Sequence, residues 1–102
     1  MIYVVAASEL REGCRETFIE IAKANIPNVL AEDGCIMYQL AENFDSGFPA
    51  QKDLDPNVLT FIECWESLDH LKQHLQAPHM KVFMEKVKDL RKSSSLKILS
   101  PV

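Results

Sequence analysis

The order of apolar and polar residues changes period several times along the chain, and each change marks a boundary between predicted strands and helices. Ile2–Ser8 is a short run with two hydrophobic faces, which is typical of a central strand. From Arg11 to Leu30 the apolar residues recur at helical spacing, which predicts a long first helix. Cys35–Glu42 and Val58–Trp65 are rich in β-branched, aromatic and other apolar residues, and they predict two further strands.

The segment after the third strand predicts a second helix in two pieces. The hydroxyl of Ser67 can cap a helix that begins near Leu68, and this helix must stop before Pro78. Because proline suits the first turn of a helix, a further helical segment is expected to start there. The remaining chain is predicted to form a helix end, a turn and a last strand, at Lys88–Lys92, Ser93–Ser95 and Leu96–Leu99 respectively.

These elements follow the order β-α-β-β-α-β, which predicts an α+β fold of the ferredoxin-like, split β-α-β type in a single domain, residues 1–102. No linker or internal repeat separates a second domain. The polar stretch 43–57 is too long for a tight hairpin, so it is either a solvated loop or a lid. The lid is retained as an alternative because this stretch contains Phe44 and Phe48, and aromatic rings exposed in a loop favour a cover.

The third strand also indicates a dimer. Its residues leave neither face polar enough for water, with Leu59, Phe61, Glu63 and Trp65 on one face and Val58, Thr60, Ile62 and Cys64 on the other. Two helices can cover only one face of a four-stranded sheet. We therefore expect a homodimer in which a second copy covers the remaining face.

Composition narrows the class of partner. A formal net charge of -4 at pH 7 offers no basic surface to nucleic acid or to an anionic membrane. The longest apolar run, Met1–Ala7, is much shorter than a membrane span and has no basic leader. Three cysteines without C-x-x-C spacing are expected to stay reduced. These features predict a cytoplasmic protein with no nucleic-acid or membrane partner.

Sequence motifs for phosphate, nucleotide or metal binding are missing, since there is no Gly-rich loop, no G-x-S-x-G and no H-E-x-x-H. His70 and His74 lie four residues apart, a spacing that can place two imidazoles side by side as metal ligands. However, His70 falls on the polar side of the predicted helix and is expected to face solvent, whereas His74 borders the apolar stripe. We therefore expect neither a metal nor another cofactor.

Three short stretches carry a resemblance to a known family. They are A-E-D-G-C-I-M-Y at Ala31–Tyr38, E-C-W-E-S at Glu63–Ser67 and H-L-x-x-P-H-M-x-x-F at His74–Phe83. In these stretches the chain resembles the antibiotic-biosynthesis monooxygenase family, and the resemblance covers nearly the whole chain. It implies a dimeric α+β barrel with a separate pocket in each subunit, between sheet and helices. That family includes quinol monooxygenases, relatives that degrade haem, and isomerases of small sugar phosphates.

His74 is the candidate catalytic acid-base residue, because the resemblance places its helix over the pocket and matches a histidine found near the pocket in many members. From the residues alone, His74 and His79 could each equally well have a role in the site or be an ordinary boundary residue of an amphipathic helix. Cys64 points away from Trp65 along its strand and is expected to be a packed thiol. The candidate substrate-binding residues are Trp65, Glu63, Tyr38, Asn25 and His79.

Several of these candidates have a purely structural alternative. Trp65 and Glu63 share a strand face and could form a flat apolar wall with one carboxylate, but Trp65 is equally well explained as core. Asn25 interrupts the apolar stripe of the first helix, so its amide either bonds within the core or points into a cavity. Tyr38 could add a phenol, although its register against Trp65 cannot be read from the sequence.

Three classes of function fit these residues. The first is a cofactor-independent monooxygenase, in which a small phenolic or quinol-type aromatic itself reduces dioxygen in a dry pocket that holds a base. The second is an isomerase or tautomerase of a small metabolite, phosphorylated or not, with the same histidine as acid and base. The third is a non-catalytic, small-molecule-binding stress protein. A mostly apolar pocket favours the first, and haem degradation fits less well because those relatives carry an Asn in the first strand, where Val4–Ser8 has none.

Overall fold

The computed structural model describes residues 1–102, which form four strands, three α-helices and a short 3-10 helix. The strands are β1 (Ile2–Leu10), β2 (Cys35–Glu42), β3 (Val58–Trp65) and β4 (Arg91–Leu99). The helices are α1 (Arg15–Leu30), α2 (Leu68–Gln76) and α3 (Pro78–Val87), and the 3-10 helix Lys88–Leu90 joins α3 to β4. None of the helices combines the length and the hydrophobicity needed to span a membrane.

The four strands form one antiparallel sheet in the order β2-β3-β1-β4. This is the ferredoxin-like arrangement predicted from the sequence. One face of the sheet, here called the inner face, packs against the helices and carries the hydrophobic core. The residues of β3 on this face are all buried: Leu59, Phe61, Glu63 and Trp65.

The break between α2 and α3 has the cause that the sequence indicated. Ser67 Oγ accepts a hydrogen bond from the backbone N–H of His70, which caps the first turn of α2. Ala77 is extended, with φ −61° and ψ 139°, as the residue before a proline favours, and Pro78 then opens α3. The two halves of the helical region are therefore free to take different directions.

Some predicted boundaries were wrong. β1 continues to Leu10, and α1 begins at Arg15 rather than at Arg11. Ser93–Ser95, predicted as a turn, lies in the middle of β4, and the helix end predicted at Lys88–Lys92 is reduced to the 3-10 helix. Serine favours turns through local side-chain hydrogen bonds, but here the long edge of β1 supplies backbone partners along the whole of β4.

β4 contains one more residue than the part of β1 it pairs with. Glu9 pairs with Ser93 whereas Leu10 pairs with Arg91, so Lys92 has no partner and forms a β-bulge. Strict alternation would place Arg91 on the same face as Ser93, away from the helices. The bulge instead turns Arg91 to the inner face, level with the buried Leu10.

The opposite, outer face of the sheet has no helix over it. Tyr3, Val5 and Ile62 lie on this face by their register, and Tyr3 is exposed. Cys64 also lies here but is buried, which confirms the packed thiol predicted from its position. The outer face is therefore the surface that the predicted second copy would cover.

Candidate functional site

A cavity of about 240 Å³ opens between the inner face of the sheet and helices α2 and α3. Most of its lining is hydrophobic, and few side chains in it can bond to a ligand. Tyr38 of β2 and Glu63 of β3 enter it as a directly opposed pair, and His74 enters it from α2. Three of the residues predicted for the site therefore share one cavity.

His74 is buried against a carboxylate rather than placed at the edge of an apolar stripe. It is 2% exposed, and its Nδ1 lies 2.7 Å from Oε2 of Glu32, in the turn after α1. An ionised carboxylate can only accept a hydrogen bond, so Nδ1 carries the proton and Nε2 is left without a partner in the chain. Burial lowers the pKa of His74, against the opposing effect of Glu32. The ring is thus a neutral, oriented base on the cavity wall.

Trp65 supports this ring from behind. The indole is fully buried, and its centroid lies 4.6 Å from that of His74. Its Nε1 donates a hydrogen bond of 2.9 Å to Oε1 of Glu63, which ties the two β3 side chains together. Trp65 does not line the cavity. The structure therefore supports the interpretation of Trp65 as a core residue rather than a pocket wall. Its contacts also orient the side chains of His74 and Glu63.

Glu63 and Tyr38 are acids whose protons are held more tightly than usual. Burial raises the pKa of Glu63 to about 7, with the hydrogen bond from Trp65 opposing and the charge of Glu32 adding to the shift. Burial, and then the charges of Glu63 and Glu32, raise the pKa of the Tyr38 phenol well above its ordinary value. Between the lowered pKa of His74 and about pH 7 the cavity therefore pairs a neutral base with two protonated acids.

Asn25 and His79 lie outside this cavity. Both line an open groove between α1 and α3. His79 Nδ1 lies 3.1 Å from Asn25 Oδ1, and Asn25 Nδ2 donates to Met80 Sδ at 3.4 Å. The amide of Asn25 is therefore bonded to its neighbours on α3, and these two predicted site residues are not brought together with Glu63 and Tyr38.

His79 nevertheless meets His74 at a single carboxylate oxygen. Its Nε2 lies 3.3 Å from Glu32 Oε2, within ion-pair distance, although the angle gives no hydrogen bond and this nitrogen has no other partner. Residues five positions apart on an unbroken helix would point about 140° away from each other. The two rings converge only because the helix breaks between them.

His70, predicted to face solvent, is largely covered by the turn after α1. Its side chain is 23% exposed, and its Nδ1 lies 2.7 Å from Ser67 Oγ. Its Nε2 lies 3.4 Å from Asp33 and 3.9 Å from Glu66, both exposed carboxylates. These three side chains form a polar cluster near the surface that does not include His74, so the two histidines do not form a common metal site.

Gly34 explains how closely His70 approaches the turn. Its φ of 80° lies in the left-handed region, and a Cβ built there would collide with the His70 imidazole. The turn that carries Glu32 is therefore seated directly against α2. This contact fixes the distance across which Glu32 reaches His74.

The predicted loop or lid does not line the cavity. Phe44 and Phe48 are 79% and 73% exposed. The segment is stabilised by internal hydrogen bonds, since Asn43 Nδ2 donates to the carbonyl of Asp55 and Gln51 Nε2 donates to that of Phe44. Closure of this segment over the site stays an untested alternative to the solvated loop.

The sequence analysis missed Glu32, which bonds to His74, and Arg91, which borders the cavity. Glu32 stands in the helix exit Ala31–Tyr38, where a carboxylate looks like an ordinary turn residue, and its partner His74 is 42 positions away. Arg91 borders the cavity only because of the bulge in β4. The position of Glu32 inside a stretch that carries the family resemblance was the only signal for it.

Fold and cavity together define a small ferredoxin-like domain with acid-base groups beneath its helices. The family model described as Antibiotic biosynthesis monooxygenase matches residues 1–86. The chain therefore belongs to the antibiotic biosynthesis monooxygenase family, as its resemblance implied.

Individual relatives extend this similarity over the full length. The chain is 35% identical over 103 residues to "Probable quinol monooxygenase YgiN" of Escherichia coli (strain K12), which covers 99% of this chain and 98% of that one. A conserved protein from Methanosarcina mazei Go1 has a TM-score of 0.83 at 25% identity, over 96% of this chain and 89% of that one. Rv0793 from Mycobacterium tuberculosis has a TM-score of 0.83 at 25% identity, over 99% and 94%. These likenesses confirm the predicted fold.

Proposed function

We propose that the protein is a cofactor-independent monooxygenase that oxidises a small phenolic or quinol-type aromatic with dioxygen. The observation that carries the proposal is His74, a buried imidazole that is oriented by Glu32 and borders an apolar cavity. Membership of the family and the name of the Escherichia coli relative support the class of reaction. The mostly hydrophobic lining suits an aromatic ring better than a large polar substrate.

The first step removes a proton from a phenolic hydroxyl. Nε2 of His74 accepts the proton, and the carboxylate of Glu32 stabilises the imidazolium that results. A phenol of pKa about 10 gives its proton to an imidazole of pKa about 6.5 only with help, because the transfer is uphill in water. Glu32 supplies part of that help, and a hydrogen bond from Tyr38 or from protonated Glu63 to the phenolate supplies the rest.

The phenolate then reduces dioxygen, and a bond forms between oxygen and the ring carbon beside the phenolate oxygen. The O–O bond of this hydroperoxide breaks as the same carbon loses its hydrogen as a proton, and water leaves. One oxygen atom becomes a new ring carbonyl and the other becomes water, so that a quinol and dioxygen give a hydroxyquinone and water. All the electrons come from the substrate, and the apolar cavity excludes water from the charged intermediates.

Labelled dioxygen tests the proposal. A panel of benzoquinols and naphthoquinols, mixed anaerobically with the protein and started with ¹⁸O₂, should give a hydroxyquinone that carries one ¹⁸O atom. The control without protein reports autoxidation, which gives unlabelled quinone and hydrogen peroxide. If added catalase returns oxygen to the enzymatic reaction and the product carries no label, the protein is an oxidase of quinols and the proposal is wrong.

A second candidate is an isomerase or tautomerase of a small metabolite. The observation that favours it is the presence in one cavity of His74, whose pKa is lowered, and Glu63, whose pKa is raised, since such a pair can move a proton between carbon and oxygen. Exchange of a substrate C–H with D₂O in the absence of oxygen would identify this activity. Thermal stabilisation by a ligand without either reaction would leave a small-molecule-binding protein.

We also propose that the protein acts as a homodimer. The outer face presents Tyr3, Val5 and Ile62 without a covering helix, and a second copy would bury this face by a two-fold contact. Light scattering at micromolar concentration should give twice the chain mass of 11.6 kDa. A folded species of single-chain mass would contradict the proposal.

A further inference from the structure

Arg91 borders the same cavity as His74, and a defect in the strand pairing puts it there. The bulge at Lys92 moves Arg91 to the inner face, whereas regular alternation would turn it outward. Bulges beside binding sites commonly serve to re-aim one side chain. The match to the family model ends at residue 86, before this strand begins.

The guanidinium of Arg91 has no carboxylate partner. Arg15, by contrast, is paired with Glu16 and Glu42. The side-chain contact of Arg91 is from Nη2 to Met84 Sδ at 3.9 Å, and a thioether is a weak acceptor. In a chain of net charge -4 this leaves a cation with its strong donors uncommitted beside a cavity.

Two hydroxyls lie next along the strands. Ser8, which is buried, and Ser94 are directly paired across β1 and β4, and both line the cavity. Neither hydroxyl takes part in a side-chain hydrogen bond within the chain. A buried hydroxyl such as that of Ser8 is expected in an apolar cavity only where something bonds to it, and the exposed hydroxyl of Ser94 lies beside it and can bond to the same group.

We propose that Arg91, Ser8 and Ser94 form a subsite for an anionic oxygen group of the substrate, a carboxylate or a phosphate. Arginine binds either group through two parallel N–H donors, and the serine hydroxyls donate to the remaining oxygens. Glu63 is paired with Val4, four residues before Ser8 on β1, so the two serines lie about 13 Å along the sheet from Glu63, and the backbone of Arg91 lies further along, opposite Leu10. A phenolic ring system of one or two rings with an acidic group at its far end spans this distance.

This inference rests on the proposed function for the phenolic end of the substrate and adds the acidic end. Binding is therefore measured under nitrogen, where no oxidation occurs. The probes are naphthalene-2,6-diol, 6-hydroxy-2-naphthoic acid and the monophosphate of the diol, which share one ring system and differ in charge. Titration calorimetry of the wild-type protein should show that at least one acid binds more tightly than the neutral diol, by about 10-fold or more.

Variants locate the effect on Arg91. Arg91→Met should weaken binding of the acid by about 10- to 100-fold and change binding of the diol by less than about 2-fold. Lys92→Met is the matched control, because Lys92 carries the same charge on an exposed side chain one position along the strand. This variant should leave the preference for the acid in place. Arg91→Lys keeps the charge without the paired donors and should fall between the two.

The outcomes separate this proposal from the proposed function. Wild-type protein that binds the acids no more tightly than the diol overturns the subsite, and so does an equal loss in Arg91→Met and Lys92→Met. Preferential, Arg91-dependent binding of an acid supports the subsite even if ¹⁸O₂ is never incorporated, in which case only the oxygenation is wrong.

Discussion

Two histidines on α2, His74 and His70, each contact a carboxylate of the turn after α1, but in different surroundings. His74 is buried, bonded to Glu32 and packed on Trp65. His70, one turn earlier, is only partly covered, and the carboxylates beside it, which include Asp33, are exposed. A carboxylate partner alone therefore does not make a histidine a candidate base. Burial is also needed, because an exposed pair is screened and competes with solvent for every hydrogen bond.

The most severe test of this contrast replaces each histidine in turn. His74→Ala should lower quinol turnover by about 10²- to 10⁴-fold, since the base that receives the phenolic proton is lost. His70→Ala, four residues away on the same helix, should stay within about 2-fold. Oxygen uptake measures both. Because His74 is fully buried, His74→Gln serves as a second variant that fills the space, and unchanged turnover in a folded His74→Gln protein would remove this residue from the mechanism.

The pH dependence of stability sharpens the contrast through Glu63. Its pKa is raised from 4.5 to about 7, so between these values the folded state holds the proton that the unfolded state has lost. Stability should therefore fall as pH rises through this window, by about 3 kcal/mol at most. His74, with its lowered pKa, acts in the opposite sense and costs stability as pH falls through about 6.5.

Urea unfolding between about pH 5 and pH 8 measures this effect. Glu63→Gln cannot ionise, so its stability should lose the decline that wild type shows as pH rises. Asp33→Asn, which removes an exposed carboxylate beside His70, should keep the decline. A wild-type and a Glu63→Gln curve of the same slope would mean that the carboxyl of Glu63 is not buried as described.

Glu32 orients the base, and its removal should have an intermediate effect. Glu32→Gln should lower turnover by about 10- to 100-fold with little change in KM, because the amide no longer fixes the tautomer of His74. Glu32 raises the pKa of His74, so its loss should move the acid limb of the pH–rate profile to lower pH. Glu66→Gln, the matched change beside His70, should move neither. An acid limb that stays in place in Glu32→Gln would reduce Glu32 to a structural role.

The smallest expected effect concerns the close contact between Gly34, in the turn after α1, and His70 on α2. Gly34→Ala should destabilise the protein by about 1 to 3 kcal/mol, from the positive φ and from the collision with His70. Gly47→Ala has a similar φ of 76° and open space around it, so it should cost only the backbone part. Combining Gly34→Ala with His70→Ala should recover part of the difference in a chemical unfolding experiment. No recovery would place the strain in the backbone or in the contact with the Cβ of residue 70, which alanine retains.

Local chemistry made much of the fold predictable. The β-branched and aromatic content of Val58–Trp65 and the cap at Ser67 each act within a few residues, and both predictions are confirmed. The failure at Ser93–Ser95 has a physical reason. Whether serines turn or extend there depends on hydrogen bonds to β1, some 85 residues earlier in the chain, and no local preference records that partner.

The site was predictable to the extent that strand alternation places side chains. The shared face of Glu63 and Trp65 follows from a period of two, and their hydrogen bond confirms it. Glu32 was not predictable, because its contact with His74 joins the turn after α1 to α2 across 42 positions of the chain, and no local pattern records that partner. Arg91 was missed because the sequence pattern placed it in a helix end, Lys88–Lys92, and because one unpaired residue in β4 reverses the face that regular alternation would give it.

The stacking of Trp65 on His74 gives the protein a built-in optical probe. Trp65 is the only tryptophan in the chain, so all indole fluorescence comes from a ring 4.6 Å from the candidate base. A protonated imidazole in contact with an excited indole quenches it by accepting an electron, and a neutral imidazole does so much less. The emission of unlabelled protein should therefore follow the charge on His74. Rapid mixing with a quinol under nitrogen would then show transfer of the phenolic proton as a loss of light, before oxygen enters the reaction.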